Sequence, residues 1–392
     1  MPSPAHRLLV LNQVAGPLMV QLLTDLSAQG MDITLVTGWI DNDNPASLPF
    51  AILPAAPLVK ASSLGRIRSW LKFTCQGLFH AVRLRIPLLV TTNPPWAMLA
   101  VPALGRIFRL PYTLLIYDIY PEVAERMGML KPNGLLARWW RNRSRKAMLH
   151  ASAVVTIGRC MRKTLLAQLR PGENVDIRII PNWADTDQIR PIPKADNPFA
   201  RTHGLVDKFV VTYAGSFGAT HDTESIIAAA EALAETPEIH FLLIGGGTRQ
   251  AEIEAIVRDK SLPNLTLLPF QPPDSFPLAL AASDAAIVCL DTPFQGLSVP
   301  SKTYSALAAG CAILAVTAPD TELALTVQEH HCGLVLPPKS PSALTAAITD
   351  LHAAPLRLQS LRSAARKAAE SHFSRQAETQ KWRTLILSHA LV

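Results

Sequence analysis

A loop between two apolar runs combines serine hydroxyls with a lysine. It reads GLSVPSK over residues 296–302. A loop that leaves the carboxyl end of a parallel strand and enters a helix presents free backbone N–H groups to a ligand, and this arrangement suits an anion. Ser298, Ser301 and Lys302 therefore predict a phosphate or diphosphate site. The alternative is an ordinary strand–helix–strand unit with a serine and a lysine on its surface.

Two glycine clusters in the same half of the chain follow apolar runs and precede helical patterns. Glycine lets a ligand approach the backbone closely because it has no side chain. The spacing matches neither the dinucleotide-binding fingerprint nor the P-loop. Arg249, just after the second cluster, either pairs with a phosphate or begins the exposed face of a helix. The cluster residues predicted to contact a ligand are Gly215 and Ser216 in the first cluster and Gly245, Gly246 and Gly247 in the second.

Two carboxylates follow an apolar run in the first half of the chain, within the sequence YDIYPE of residues 117–122. Carboxylates at the end of a strand can act as a base or bind hydroxyl groups, so Asp118 and Glu122 are candidates for these roles. The alternative is that Asp118 caps the local turn and Glu122 is a solvated residue of a first helical turn. Asn93 and Gly16 follow two other apolar runs and are expected to line the same wall, with Gly16 as a point of close approach.

Two helical segments of the first half carry aromatic residues among lysines and arginines. They are Arg66–Lys72 and Arg138–Lys146. This combination on an amphipathic helix suits the surface of an anionic bilayer. It would also suit nucleic acid, but no recognised nucleic-acid-binding module accompanies it, so no nucleic-acid partner is expected. The alternative is a solvated helix whose tryptophans face the core.

The composition indicates a globular protein with a large core. Of the 392 residues, 49% are apolar and 17% are charged, which excludes disorder. The net charge of +7 arises in the first half of the chain and points to an anionic partner. The five cysteines are scattered and the histidines lack a metal-binding spacing, so neither a disulfide framework nor a metal site is indicated. A reducing cytoplasm fits these cysteines, and the first residues lack the pattern of a signal peptide.

Apolar runs alternate with helical patterns in two successive sets, and most of the runs are continuously apolar. This is the pattern of parallel sheets covered on both faces. We predict an α/β protein with two doubly wound domains. The predicted division is a first domain over residues 1–182, a proline-rich linker over 183–207, a second domain over 208–370 and a closing helix over 371–392.

With these motifs assembled, the chain resembles the retaining glycosyltransferases of family four, which have the GT-B fold. The likeness covers nearly the whole chain and is greatest to bacterial enzymes of the exopolysaccharide, O-antigen and colanic acid type. The segments that carry it are DIYPE at 118–122, IPNWAD at 180–185, YAGSFG at 213–218, LIGGG at 243–247, VPSK at 299–302 and LAAG at 307–310.

The resemblance implies two Rossmann-like domains with an interdomain cleft and a carboxyl-terminal helix that crosses back to the first domain. It implies a nucleotide-sugar donor on the second domain and an acceptor on the first, with no metal or other cofactor. Asp118 and Lys302 become the catalytic residues, and Glu122 and Asn93 bind the acceptor. The residues assigned to the donor are Gly16, Gly215, Ser216, Gly245, Gly246, Gly247, Arg249, Leu297, Ser298, Val299, Pro300, Ser301, Lys302 and Ser305.

The chain departs from the family pattern around the donor. Many members carry two glutamates eight positions apart, and the equivalent positions here are Leu297 and Ser305. A basic pair after the first strand of the second domain is replaced by Ala219-Thr220-His221. Lys302 would then carry most of the diphosphate contact.

The expected function is transfer of a sugar, with retention of configuration, from a nucleotide diphosphate to a glycan or polyprenyl-linked acceptor. The expected location is the cytoplasm, peripheral on the inner face of the cell membrane. Two other functions stay open: a catalytically silent subunit that binds a nucleotide sugar and has lost the glutamates, and an epimerase of similar fold that acts on a nucleotide sugar.

Overall fold

The computed structural model describes residues 7–59, 62–218 and 222–389, and the chain forms two compact units. Each unit is an α/β body built on its own parallel sheet. Unit 1 comprises Met1–Pro181, Gly296–Ser298 and Gln376–Val392, and unit 2 comprises Asn182–Gln295 and Val299–Arg375.

Within the described residues, unit 1 contains a parallel sheet of seven strands and a separate two-residue pair. The strands are β1 (Arg7–Leu11), β2 (Val14–Ala15), β3 (Asp32–Thr37), β4 (Trp39–Ile40), β5 (Ala51–Pro54), β6 (Leu88–Thr91), β7 (Tyr112–Ile116), β8 (Ala153–Thr156) and β9 (Ile177–Ile179). The order across the sheet is β5-β3-β1-β6-β7-β8-β9, and β2 pairs with β4. The direction of winding reverses between β1 and β6, so the crevice of this doubly wound sheet lies at their carboxyl ends.

Helices connect the strands of unit 1 and cover its sheet. Two of them begin at a proline, Pro17 and Pro95, which fits a first helical position because the missing N–H would be unsatisfied there in any case. The helices are α1 (Pro17–Ala28), α2 (Ser63–Leu84), α3 (Pro95–Phe108), α4 (Glu122–Arg126), α5 (Leu135–His150) and α6 (Arg159–Ala167).

Unit 2 repeats this architecture, with a six-stranded parallel sheet in the part of the chain that the structure describes. Its helices are α7 (Pro198–Thr202), α8 (Thr223–Ala232), α9 (Gln250–Lys260), α10 (Phe276–Ala281), α11 (Lys302–Ala308), α12 (Glu322–His330), α13 (Pro341–Ala353) and α14 (Pro355–His372). The last helix, α15 (Arg375–His389), is grouped with unit 1 from Gln376 onward. Its strands are β10 (Phe209–Ser216), β11 (Ile239–Gly246), β12 (Leu265–Leu268), β13 (Ala285–Cys289), β14 (Ala312–Val316) and β15 (Gly333–Leu336). The order β12-β11-β10-β13-β14-β15 reverses direction between β10 and β13.

The central strands confirm the prediction of two parallel sheets covered on both faces. Every residue of β6, β7, β8, β13 and β14 is buried. A continuous apolar run is required where helices pack on both sides of a parallel sheet. The predicted α/β class with doubly wound topology is therefore confirmed for each unit.

A short helix lies inside the stretch that was predicted as a linker. The Asn197 carboxamide oxygen accepts hydrogen bonds from the backbone N–H groups of Phe199 and Ala200, and this cap starts α7. Phe199 packs in an apolar cluster with Val210 of β10 and Leu242 of β11. Part of the connection thus belongs to the core of unit 2.

Candidate functional site

Lys302, the first residue of α11, reaches to the end of β10. Its ammonium donates a hydrogen bond of 3.0 Å to the Tyr213 hydroxyl and lies 4.2 Å from the centre of the Tyr213 ring. A Cβ added to Gly215 would lie 2.5 Å from Lys302 Nζ. Glycine at position 215 therefore leaves the space that the ammonium occupies, and Tyr213 supports it from the strand.

In the part of the chain that the structure describes, no negative side chain is paired with the ammonium of Lys302. Burial lowers its pKa to about 8, and among the described residues no carboxylate forms an ion pair with it. Its titratable neighbour Cys289 is a neutral thiol, since burial raises the pKa of that thiol to about 12. A desolvated cation without a counter-ion favours the approach of an anion.

The glycine clusters end β10 and β11 and pack on each other. Gly215 lies opposite Gly245 in the sheet register. A Cβ on Gly245 would lie 1.8 Å from the carbonyl oxygen of Gly215, and one on Gly247 would lie 2.7 Å from that of Phe217. At Gly246 the nearest atom would be the flexible end of Gln250, at 2.9 Å. The close packing of the two loops is therefore a sufficient reason for glycine at positions 245 and 247, whether or not a ligand binds there.

The guanidinium of Arg249 is bound by two carboxylates. It donates hydrogen bonds of 2.9 and 2.7 Å to Glu252, one turn along α9, and one of 2.5 Å to Glu224 of α8. These bonds raise the pKa of Arg249. Arg249 thus lies half-buried at the start of α9 with two carboxylates bound to it, and a contact with a phosphate stays a prediction.

The rest of the predicted anion loop divides into exposed hydroxyls and buried apolar side chains. Ser301 is exposed, precedes α11 and makes no capping bond with its side chain. Leu297 and Val299 are buried, and Gly296–Ser298 are grouped with unit 1 while the remainder of the loop is in unit 2. Four further residues predicted to contact the donor are partly or fully exposed: Ser216, Ser298, Pro300 and Ser305. Ala219-Thr220-His221 lies outside the described residues.

In unit 1, Asp118 follows β7 at the carboxyl edge of the sheet. The Thr92 hydroxyl, just after β6, accepts hydrogen bonds of 3.1 and 3.3 Å from the N–H groups of Tyr117 and Asp118. Asp118 is half-buried and lines a small cavity with Tyr120 and Trp140. Burial raises the pKa of Asp118 to about 6. Such a carboxylate can accept a hydrogen bond or a proton from a hydroxyl near neutral pH.

Glu122 is held in an ion pair. One of its oxygens accepts hydrogen bonds of 2.6 Å from Arg141 and 3.0 Å from Gln168, and Arg141 also binds Glu125. Its other oxygen is buried without a partner. Glu122 is the first residue of α4, but it is not solvated as the alternative interpretation of the sequence expected. Its ion pair with Arg141 links α4 to α5.

Asn93 and Gly16 lie on adjoining loops at the crevice of unit 1. Asn93 follows β6; its carbonyl accepts a bond of 2.7 Å from Gln13, and its carboxamide donates one of 3.4 Å to the Val14 carbonyl. A Cβ on Gly16 would meet nothing within 4 Å. Open space therefore adjoins Gly16, as a point of close approach requires.

An aromatic cluster next to Asp118 was not predicted. Trp70, Trp96, Tyr120 and Trp140 lie with ring centres 5.7 to 6.5 Å apart, and Tyr120 stacks on Trp140. The rings come from α2, α3, α5 and the segment after β7, and only their tertiary packing shows that they meet. Trp70 and Trp140, which the sequence offered as membrane-facing or core residues, are buried.

Each of the two basic segments lies on a helix that carries both exposed cations and exposed apolar side chains. Within Arg138–Lys146, Arg141 and Arg145 are paired with acidic residues, whereas Arg138 and Lys146 are exposed. Arg68 and Lys72 of α2 are exposed as well. We call the exposed cations and exposed apolar side chains of α2 and α5 the apolar–basic surface; the apolar side chains are Leu64, Ile67, Leu71, Leu135, Leu136 and Trp139.

Among the helices that the structure describes, none is both long and apolar enough to cross a membrane. No group of three or more His, Cys, Asp or Glu side chains in residues 7–59, 62–218 and 222–389 is arranged to hold a metal ion.

Comparison with known proteins identifies the family in both halves of the chain. The model of the glycosyl transferase 4-like domain matches residues 15–183, and that of the glycosyl transferases group 1 matches residues 208–354. WbjE of Pseudomonas aeruginosa, named as a probable glycosyltransferase, is 28% identical over 75% of this chain and 72% of its own. WcaI of Escherichia coli strain K12, whose name refers to colanic acid biosynthesis, is 28% identical over 52% of this chain and 50% of its own.

Solved structures show the fold. HepE of Anabaena in complex with UDP superposes with a TM-score of 0.74 at 16% identity and covers 97% of this chain and 100% of that one. Sucrose-phosphate synthase from Thermosynechococcus elongatus has the same TM-score at 17% identity, with 97% and 99% covered. The chain therefore belongs to the group 1 glycosyltransferases, with an amino-terminal glycosyl transferase 4-like domain and the GT-B fold.

Proposed function

We propose that this glycosyltransferase moves a sugar from a nucleoside diphosphate to a hydroxyl of a glycan or lipid-linked acceptor, with retention of configuration. The observation that carries the proposal is the Lys302 ammonium, which lies against Gly215 at the carboxyl edge of the unit 2 sheet and forms no ion pair with any of the described residues. A diphosphate supplies the missing negative charge. The complex of HepE with UDP is a further argument for this class of donor.

The reaction exchanges one bond at the anomeric carbon of the sugar for another. The bond from that carbon to the diphosphate oxygen breaks, a bond to the acceptor oxygen forms, and the acceptor proton leaves with the diphosphate. Lys302 and the loop amides stabilise the charge that develops on the departing diphosphate. Asp118 accepts a hydrogen bond from the acceptor hydroxyl and increases its nucleophilicity. These groups supply the charges that the step needs, and the proposal includes no metal.

A panel of nucleotide sugars tests the proposal. Isothermal titration with UDP-, GDP- and ADP-sugars should show binding of one donor class, and incubation of that donor with lipid-linked glycans should release the nucleoside diphosphate with an α-linked product from an α-linked donor. Activity should persist in EDTA. Absence of binding would contradict the proposal, binding without transfer would favour a silent subunit, and conversion of the donor without an acceptor would favour an epimerase. An inverted product would contradict retention.

The proposal extends to location: the apolar–basic surface of unit 1 binds anionic lipid at the inner face of the membrane. Leu135 is 80% exposed and Trp139 is 53% exposed beside the cations of α5. Exposed apolar side chains that are grouped with lysines and arginines insert at the interface of an anionic bilayer. A lipid-linked acceptor would be reached from such a position.

Vesicles of defined charge check this location. We expect flotation with vesicles that contain phosphatidylglycerol, weaker flotation with phosphatidylcholine alone, and a decrease as salt rises, because salt screens the cations. The double variant Leu135→Ser with Trp139→Ser should lose most of the bound fraction. Leu356→Ser on α14, where the leucine is 83% exposed outside this surface, is the matched control and should bind as wild type does. Equal recovery of the protein on neutral and on anionic vesicles would contradict the binding of anionic lipid by the apolar–basic surface.

A further inference from the structure

Tyr213 is a fully buried tyrosine at the point where β10 reaches the first glycine cluster. Its hydroxyl accepts the hydrogen bond of Lys302 and donates one of 2.8 Å to the carbonyl of Ser216. Two hydrogen bonds in series therefore run from the ammonium through the phenol to the backbone of the cluster. The ring face below the ammonium adds a cation–π contact.

We propose that Tyr213 positions the Lys302 ammonium for its anionic ligand and favours its protonated form. This inference rests on the proposed function, in which Lys302 binds the donor diphosphate. A lysine side chain has four rotatable bonds, and the rotamer entropy lost on ordering it opposes binding. Tyr213 and the space above Gly215 impose that order before the ligand arrives, so less free energy is lost on binding.

Tyr213 acts on the ammonium as a dipole, because burial raises the pKa of its phenol and keeps it neutral. The other titratable groups on this side are Cys289 on β13, which is also neutral, and Asp222 and Asp291 beyond it. In the described residues neither aspartate forms an ion pair with Lys302. A hydrogen bond that is made to the charged form of a group favours that form. Removal of the Tyr213 hydroxyl should therefore lower the pKa of Lys302.

The variant Tyr213→Phe keeps the ring and removes only the hydroxyl. In the ligand-free protein we expect the Lys302 pKa, read from the ¹³Cε resonance of labelled lysine, to fall by about one unit. The resonance is assigned by its loss in Lys302→Met. The Kd of UDP, or of GDP or ADP if one of these binds more tightly, should rise about tenfold at pH 7.5, since a hydrogen bond to a charged group is lost.

Tyr112→Phe is the matched control. Tyr112 lies in unit 1 and its buried hydroxyl also donates a bond of 2.8 Å to a backbone carbonyl, that of Ala147. This variant loses a comparable hydrogen bond but should leave the Lys302 titration and the Kd unchanged. The inference is overturned if Tyr213→Phe leaves either quantity at its wild-type value. If Lys302→Met also binds the nucleotide as wild type does, the proposed function fails separately, and the lysine titration still decides the role of Tyr213.

Discussion

Replacement of Lys302 by methionine is expected to lower the rate of sugar transfer at least a hundredfold and to weaken nucleoside diphosphate binding. Methionine keeps most of the apolar stem over Gly215 and Tyr213, so the loss isolates the ammonium. A hundredfold decrease corresponds to about 2.7 kcal/mol of transition-state stabilisation, which is the size expected for one preorganised charged contact to a leaving group. Steady-state kinetics and titration of the diphosphate measure the two effects.

The same substitution is expected to stabilise the folded protein. Burial lowers the pKa of Lys302 from 10.5 to about 8, so the folded state prefers the neutral amine. The resulting penalty on folding is full below about pH 8 and disappears as the pH rises above 10.5. Methionine has no charge to desolvate, so the free energy of unfolding at pH 7 should rise by up to about 3 kcal/mol. If Lys302→Met transferred the sugar at the wild-type rate, Lys302 would have no role in the reaction.

Replacement of Asp118 by asparagine is expected to lower the transfer rate about a hundredfold, because the carboxylate that accepts a hydrogen bond from the acceptor hydroxyl is lost. The affinity for the nucleoside diphosphate should stay the same, because Asp118 acts on the acceptor. In the wild-type enzyme the rate should fall below about pH 6, where Asp118 becomes protonated. This decrease of the transfer rate at acid pH should be absent from the pH–rate profile of Asp118→Asn.

Stability should again change in the opposite direction to activity. The pKa of Asp118 rises from 3.8 to about 6 on burial, so its ionised form destabilises the folded state. This penalty is absent below about pH 3.8 and full above about pH 6. The substituted asparagine carries no charge, and the free energy of unfolding at pH 7 should rise by up to about 3 kcal/mol. Asp350→Asn, at an exposed position of α13, should change neither rate nor stability. If the transfer rate of Asp118→Asn still fell below about pH 6, a group other than Asp118 would be responsible for the decrease.

The parallel sheets could be predicted because their central strands are apolar at every position. β7 and β14, for example, are buried throughout, and a parallel sheet covered by helices demands that pattern. The edge strand β5 carries only partly or fully exposed residues and gives no comparable signal. Helix α7 depends on the Asn197 cap and on burial of Phe199 against distant strands, which no local periodicity reveals.

The loops of the site could be placed from strand ends, but the partners of their side chains could not. Arg249 meets Glu224 only because α8 and α9 lie side by side, and Glu122 meets Arg141 only because α4 packs near α5. Tyr213 looks like one more residue of an apolar strand until its hydroxyl is seen to hold Lys302. Tertiary contacts, rather than residue type, decide which charged groups remain available to a ligand.

A crystal structure of the protein with a bound nucleoside diphosphate tests the central claim most directly. The account predicts a phosphate oxygen within about 3 Å of Lys302 Nζ, beside the backbone of Gly215. A diphosphate bound elsewhere on the protein, with the Lys302 ammonium contacting no phosphate, would contradict it.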